Sequence, residues 1–266
     1  MKIAIIGTGN LGKSIAKGLI TNNAITTLYL TKRNLDDIQD LEGYKNVHLT
    51  TDNAVAVKNS DILIFAIQPR QFEQILNDIN PLLTENHVLI STITGFLIPK
   101  IEEIVGSNQF IIRAMPNTAI AVGKSMTCMC SNAQGAKRLK IAEAIFNRLG
   151  HTLVIPESQM QAATVVCASG IAFWMRLIRA TTQAAIQLGF DANEAQELAM
   201  YTSEGAASLL ITNGNHPEEE IDRVTTPKGC TIEGLNEMEH KGLSSSLIQG
   251  MVASFNKINN IKKEQI

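Results

Sequence analysis

Apolar positions along the chain change their spacing near residue 156. Before it, short unbroken apolar runs alternate with segments whose apolar residues recur every three or four positions; after it only the helical spacing remains. Ile3 to Ile6 reads as a buried strand, and Lys13 to Ile20 as a helix with Leu11, Ile15 and Leu19 on one face. Thr27 to Leu30 is β-branched and aromatic and predicts a second strand. Further strands are expected at Val47 to Leu49, Ile62 to Ile67, Val88 to Ser91 and Phe110 to Ala114, within the run Ala119 to Cys130, and at His151 to Ile155. Between them the spacing predicts a short helix ending at Val57, one over Gln71 to Ile79 and one over Ala133 to Leu149. The run Ile62 to Ile67 is apolar throughout, as in a parallel sheet covered on both faces. Strand alternating with helix predicts a doubly wound α/β domain over residues 1–156.

From Glu157 onward the pattern is helical, which predicts an all-α domain over 157–266. Ala162 to Leu188 is apolar on nearly every face, with small residues at Ala162, Ala163, Ala168, Gly170 and Ala172. A helix apolar all round must be buried on all sides, and the remaining segment is too short to wrap it. An intimate homodimer, with this helix packed by a second copy, is therefore expected. Asp191 is placed to cap a helix from Ala192 to about Leu210. Shorter helical patterns follow at Glu218 to Arg223, Ile232 to His240 and Leu243 to Asn259.

The composition narrows the choices. At 45% hydrophobic over 266 residues the chain can bury a sizeable core, and a net charge of −2 with both signs interspersed argues against a general nucleic-acid surface. No uninterrupted apolar stretch reaches the roughly 18 residues of a membrane span, and the first strand follows Met1 directly, so a cytoplasmic protein without a leader is expected. Cys128, Cys130, Cys167 and Cys230 show no C-x-x-C spacing and read as free thiols, the first two sharing one strand face. The histidines are too scattered for a metal site, and none is expected.

The candidate chemistry sits first at Gly7-Thr8-Gly9-Asn10-Leu11-Gly12, between the first strand and the first helix. In this Rossmann-type arrangement Gly7 makes the tight turn, Gly9 lets the backbone approach a pyrophosphate, and Gly12 allows close helix packing. Free N–H groups at the helix start face the phosphates, with Ile6, Asn10 and Leu11 around them. After the second strand come Thr31, Lys32 and Arg33, with no acid before Asp36. A hydroxyl, an amine and a guanidinium suit a 2′-phosphate, so NADPH is expected, NADH being the alternative. Strand ends at Gln68-Pro69, Thr92 to Gly95 and Met115 to Thr118 form a rim where ligands bind in open parallel sheets. A second loop, Val224 to Thr231, combines a proline, a glycine and three threonines before a helix. It reads equally as an anion-binding site or as an ordinary cap.

Four blocks resemble the pyrroline-5-carboxylate reductase family: Ile6 to Gly12, Ala66-Ile67-Gln68-Pro69, Arg113-Ala114-Met115-Pro116-Asn117-Thr118 and Thr226-Pro227-Lys228-Gly229-Cys230-Thr231. The resemblance runs nearly the full length. It implies a Rossmann-like domain followed by a helical dimerisation domain, and hydride transfer from NAD(P)H to the C=N carbon of 1-pyrroline-5-carboxylate, giving L-proline. It implies that the nicotinamide lies by Ala66, Ile67, Gln68, Pro69, Thr94, Met115, Pro116 and Asn117, and the adenine ribose by Asn53. The substrate would be held by Ser169, Gly170, Thr226, Gly229, Cys230 and Thr231, with Thr231 as the catalytic group near the imine nitrogen. It also implies an oligomer, a dimer or a larger ring.

The chain departs from the family pattern at Lys228 and Cys230, where small residues are usual. It departs also at Ile171 and Phe173, in place of a proline and a tyrosine, and at Gln68, in place of a lysine. A non-catalytic NADPH-binding relative and a reductase of another small cyclic imine are the alternatives. A β-hydroxyacid dehydrogenase would need a lysine on the long helix, whereas Trp174 stands four residues after Gly170 and no lysine lies between Glu157 and Pro227.

Overall fold

The computed structural model describes residues 1–22 and 25–264, with 260–264 described by backbone alone. It divides into two compact units: Met1–Ser169 with the chain from Phe255 on, and Gly170–Ser254.

Among the described residues, the first unit holds β1 (Lys2–Ile6), β2 (Thr27–Thr31), β3 (Val47–Thr50), β4 (Ile62–Phe65), β5 (Val88–Ser91), β6 (Phe110–Met115), β7 (Ser125–Ser131) and β8 (Gly150–Val154). They form one sheet in the order β3-β2-β1-β4-β5-β6-β7-β8, the doubly wound topology expected. The helices of this sheet are α1 (Asn10–Thr21), α2 (Asn53–Lys58), α3 (Pro69–Ile79), α4 (Ile98–Val105) and α5 (Leu139–Phe146). Both faces are covered. Ile3 and Ile5 pack with Ile15, Leu19 and Phe146 on one side, while Ala4 and Ile6 pack with Phe65, Phe72 and Leu76 on the other. Burying each of the larger apolar side chains contributes about 2 kcal/mol.

Local chemistry moves several boundaries. Helix α3 begins at Pro69, two residues before the expected start, because a proline at the first helical position loses no hydrogen bond there. The helix α4 was not anticipated. The helix expected from Ala133 is confined to Leu139–Phe146, preceded by a 3-10 turn at Gly135–Arg138. Asn132 redirects that start: its Oδ1 accepts from the amides of Ile111 and Gly135, at 3.2 and 2.6 Å. The sheet is also not wholly parallel. Strand β7 runs antiparallel to β6, because the connection between them is a 3-10 turn at Thr118–Val122, too short for a parallel crossover.

Past the sheet come a 3-10 turn at Glu157–Gln159, α6 (Met160–Ala163) and a π-helical stretch at Thr164–Ser169. Met160 and Ala163 are buried in the sheet's second core cluster, so this compact unit runs to Ser169, beyond the end of the strands and residue 156. Arg113 on β6 fixes the junction. Its Nη1 donates to Glu157 Oε1 at 2.8 Å, and that oxygen also accepts from the Ile98 amide at 2.7 Å. The guanidinium side chain is only 3% exposed.

The second unit begins with α7 (Gly170–Gln187), α8 (Ala192–Asn213), α9 (Pro217–Val224) and α10 (Cys230–His240). It continues into α11 (Leu243–Glu264), and the expected domain end at residue 266 lies outside the described residues. Asp191 caps α8 as expected, in a reciprocal box with Glu194. The helix expected over Ala162 to Leu188 is present but changes from π to α pitch at Gly170. Along α7 and α8 only Gly170, Thr182, Ala195 and Ala199 are buried. Trp174, Met175, Leu188, Tyr201 and Ile211 are each more than half exposed. By length and composition the helical span Glu157–Gln187, whose most apolar window has a mean hydropathy of 1.4, could cross a membrane. The expectation concerned an uninterrupted apolar run, and this span is not one, since Thr164, Ser169, Arg176 and Arg179 interrupt it.

Replacing Arg113 by alanine should destabilise the protein by about 3 kcal/mol, since it strands Glu157 beside a buried wall. Glu157→Gln, which keeps an acceptor but leaves the more deeply buried guanidinium without its counter-charge, should cost a comparable amount. Urea denaturation at fixed protein concentration checks both, and a negligible cost for Glu157→Gln would remove the ion pair as the cause.

Candidate functional site

The turn after β1 is built so that no side chain intrudes. Gly7 has φ +91°, and a Cβ there would stand 2.1 Å from Ile67 Cγ2; a Cβ on Gly12 would stand 2.3 Å from the Gly7 carbonyl oxygen. Gly9 differs, since a Cβ there would meet nothing within 4 Å. Gly9 is also the N-cap of α1, with no side-chain cap and no acid in the first turn. The first N–H groups of α1 therefore keep their capacity to bind an anion, with the helix dipole behind them. The Gly7 amide donates to Thr31 Oγ1 at 3.1 Å, and the Thr8 amide to the Thr31 carbonyl at 2.8 Å, which ties this turn to the end of β2. The buried Thr8 hydroxyl has no hydrogen-bond partner among the described residues.

These elements wall a cleft of about 630 Å³. Of the residues picked out from the sequence, Ile6, Gly7, Gly9, Thr31, Lys32, Arg33, Asn53, Ala66, Ile67 and Gln68 line it. Asn53 is brought there as the first residue of α2, whose cap is the Asp52 carboxylate accepting from the Ala54 amide at 2.7 Å. Thr8, Asn34, Asp37, Thr51, Gln71 and Ile75 line it too and were not singled out. Asp37 changes the electrostatics most: its carboxylate pairs with Lys32 Nζ at 2.8 Å. Arg33 is exposed and has no ion-pair partner among the described residues. The signal for Asp37 was in the sequence, one position past the first acid after the basic pair. Its direction is set by a 3-10 turn, Asp36–Leu41, that buries Ile38 and Leu41.

Asn10, Leu11, Gly12 and Pro69 lie in the flanking helices and do not line the cleft. Thr94, Met115, Pro116 and Asn117 form a neighbouring group at the ends of β5 and β6. Thr94 Oγ1 lies 3.9 Å from Met115 Sδ. Asn117 accepts from the Ala119 amide at 3.0 Å and donates through Nδ2 to the Cys167 carbonyl at 3.1 Å, so it links this rim to the π-helical stretch that ends at Ser169. Two thiols lie behind this rim, Cys128 and Cys130 on β7. Burial, reinforced by Cys167 with its sulfur 3.9 Å away, pushes Cys128 up to about 12; burial pushes Cys130 up to about 11. All four cysteines are free, as expected.

The late loop belongs to the second unit. Thr226, Pro227, Lys228 and Gly229 make a turn closed by the Gly229 amide donating to the Thr226 carbonyl at 2.9 Å. Lys228 occupies its third position with φ 59°, a conformation ordinarily left to glycine. A Cβ on Gly229 would stand 2.4 Å from Thr226 Oγ1, so the glycine is needed where Thr226 folds over it. Gly229 is the N-cap of α10 without a side-chain cap, and Cys230 and Thr231 are the first residues of that helix. Ser169 and Gly170 stand at the change of pitch before α7. Neither unit by itself brings Thr226, Gly229, Cys230 and Thr231 into the cleft beneath Gly9.

Comparison with known proteins matches two separate stretches of the chain. Residues 157–261 match the family model for pyrroline-5-carboxylate reductase dimerisation, and residues 2–95 match that for NADP oxidoreductase, coenzyme F420-dependent. Pyrroline-5-carboxylate reductase 2 of Dictyostelium discoideum is 40% identical, over 97% of this chain and 96% of that protein. Pyrroline-5-carboxylate reductase 1 of the same organism is 44% identical over 96% of this chain, which spans only about half (49%) of that relative's length. Among solved structures, a pyrroline-5-carboxylate reductase from Coxiella burnetii superposes with a TM-score of 0.90 at 28% identity, over 97% of both chains. The Plasmodium falciparum pyrroline carboxylate reductase, solved with NADP bound, gives 0.87 at 25% identity over 98% of both.

The left-handed backbone at Lys228 carries its own test. Lys228→Gly should relieve about 1 kcal/mol of backbone strain and raise the denaturation midpoint. A lowered midpoint would show that the lysine side chain contributes more than the strain costs.

Proposed function

This chain belongs to the pyrroline-5-carboxylate reductase family, and on that premise we propose that it reduces 1-pyrroline-5-carboxylate to L-proline with NADPH, the closing step of proline biosynthesis. The observation that carries the reading is the cleft: an uncapped helix start beneath an open glycine at one end, and Lys32 and Arg33 after β2 at the other. A dinucleotide needs this pairing, with N–H donors for its pyrophosphate and cations for its 2′-phosphate. Asn10, Leu11 and Gly12 supply the N–H groups of the helix start, with Ile6, Gly7 and Gly9 forming the turn that the pyrophosphate approaches; Lys32 and Arg33 take the second role beside Thr31, and Asn53 the adenine ribose. Ala66, Ile67, Gln68, Pro69, Thr94, Met115, Pro116 and Asn117 stand on the nicotinamide side.

Bound nicotinamide supplies a hydride for the imine carbon. The chain's own residues then have three tasks. Cys230 and Thr231 offer the free N–H groups of the α10 start, together with the Thr226 hydroxyl, to the substrate carboxylate, while Gly229, its own amide spent on the Thr226 carbonyl, keeps the approach clear of a side chain. Ser169 and Gly170 border the ring. The Thr231 hydroxyl keeps a proton on the imine nitrogen, so that the carbon is electrophilic when the C–H bond forms and the C=N π pair passes to nitrogen. No metal or strong base enters this chemistry, and orientation with exclusion of water supplies the acceleration.

The second unit supports an obligate homodimer, interlocked around α7 and open to assembly into a ring. It exposes Trp174, Met175, Leu188, Tyr201 and Ile211 within the segment that matches the dimerisation model. A second copy is a more fitting cover than lipid, because Arg176 and Arg179 interrupt the apolar surface. A cytoplasmic location accords with this reading.

Purified protein should oxidise NADPH in the presence of 1-pyrroline-5-carboxylate, followed by the absorbance of the reduced cofactor. Thr231→Ala should lower kcat at least about tenfold while leaving NADPH affinity within about twofold. Intact nucleotide binding without turnover would leave the non-catalytic relative as the better description, and turnover only with a different cyclic imine would redirect the substrate. Size-exclusion chromatography with light scattering should give at least twice the 28.9 kDa chain mass. A monomer at micromolar concentration would overturn the interlocked dimer.

A further inference from the structure

We propose that Asp37 is a cofactor-selectivity residue: by holding Lys32 in an ion pair inside the cleft it restrains the preference for a 2′-phosphorylated dinucleotide and keeps NADH usable. The inference rests on the dinucleotide reading of the cleft given above.

Three features of the β2 end carry it. First, the amine that suits a 2′-phosphate is already engaged, with Lys32 Nζ 2.8 Å from Asp37 Oδ2 and the lysine side chain only 26% exposed. A phosphate arriving there must take the lysine from a carboxylate of the same sign as itself. Second, Asp37 is not a passing partner on a loose loop. The 3-10 turn that bears it is anchored by the fully buried Ile38 and by Leu41, and its own carbonyl accepts from Lys13 Nζ at 2.8 Å. Lys13 is fixed in turn by Asp40 at 2.6 Å, and Lys17 meets the same carboxylate at 3.1 Å. Third, Asp37 lines the cleft beside Arg33 and Asn34, on the wall where a ribose edge would lie. A carboxylate there is the acceptor that an unphosphorylated ribose requires. The wall therefore presents two cations and one anion, one suited to each cofactor.

The magnitude follows from exposure. Asp37 is 56% exposed, so its pair with Lys32 is a surface one, of the kind that changes an equilibrium by no more than about fivefold. Releasing Lys32 should strengthen NADPH binding by about threefold to fivefold. Losing a charged acceptor should weaken NADH binding by about threefold, for a combined change in the ratio of about tenfold.

Isothermal titration calorimetry of NADPH and NADH with the intact protein tests this, using the wild type, Asp37→Asn, Lys32→Ala and the double variant. Asp37→Asn should shift the ratio of dissociation constants about tenfold toward NADPH, and in the Lys32→Ala background its effect on NADPH should fall below about twofold. An unchanged ratio, a shift toward NADH, or a full effect persisting without Lys32 would overturn the proposal while the reductase reading stands. Wild-type protein that binds neither nucleotide would overturn both.

Discussion

At Gly7 the backbone turns with φ +91° in a space where a methyl group would stand 2.1 Å from Ile67 and 3.0 Å from the Ala66 carbonyl oxygen. The same turn is closed from below by Gly12, whose missing side chain leaves room for the Gly7 carbonyl. These two contacts bring the start of α1 against the ends of β1 and β4, with the hydrogen bond from Gly7 to Thr31 adding β2. The cleft is the consequence. Its floor is backbone held by packing that no other residue permits, so the N–H groups at its mouth are fixed before any ligand arrives. Prepositioned donors of this kind bind an anion without an ordering cost at the moment of binding.

The second unit depends on the opposite circumstance, an unmet need for burial. Its first two helices bury Gly170, Thr182, Ala195 and Ala199, residues too small to form a core by themselves. Its large apolar side chains face outward, including Leu188 at 81% and Ile211 at 77% exposed. An apolar surface on this scale is satisfied by a partner. The exposed apolar surface gives a physical reason for the match to a dimerisation model, whereas the first unit encloses its sheet on both faces within one chain.

What could be read in advance follows from which forces are local. The glycine turn, the basic pair after β2 and the apolar strands were legible, because each depends on residues adjacent in sequence. The apolar-all-round helix was legible as a burial problem, although its π-helical stretch was not: five- and four-residue hydrogen-bond spacings leave nearly the same apolar pattern. The truncation of α5 depends on Asn132 reaching the amides of Ile111 and Gly135, a contact set by strand pairing and invisible to periodicity. Asp37 was similarly hidden. Its neighbour Asp36 is as acidic and as exposed, and only the phase of a 3-10 turn decides which carboxylate meets Lys32. The late loop was legible as composition, but not the left-handed lysine within it.

That lysine and the pairing of Lys32 have a common logic. On the proposed reading both lysines stand beside backbone N–H groups that would meet an anion, Lys228 exposed on a left-handed turn and Lys32 engaged in an ion pair. An unrestrained cation would raise affinity for every anion equally, for product as well as for substrate and for phosphorylated cofactors generally. Uniform tightening of that kind lowers KM without raising turnover. The thiols of Cys128 and Cys130 fit the same economy: burial keeps them protonated, so they fill the sheet's second core without adding a charged nucleophile there. On the proposed reading the selective work would fall to fixed backbone donors and one late hydroxyl, which suits a reaction whose electrons come from a cofactor and whose protein partner has chiefly to hold two ligands in register.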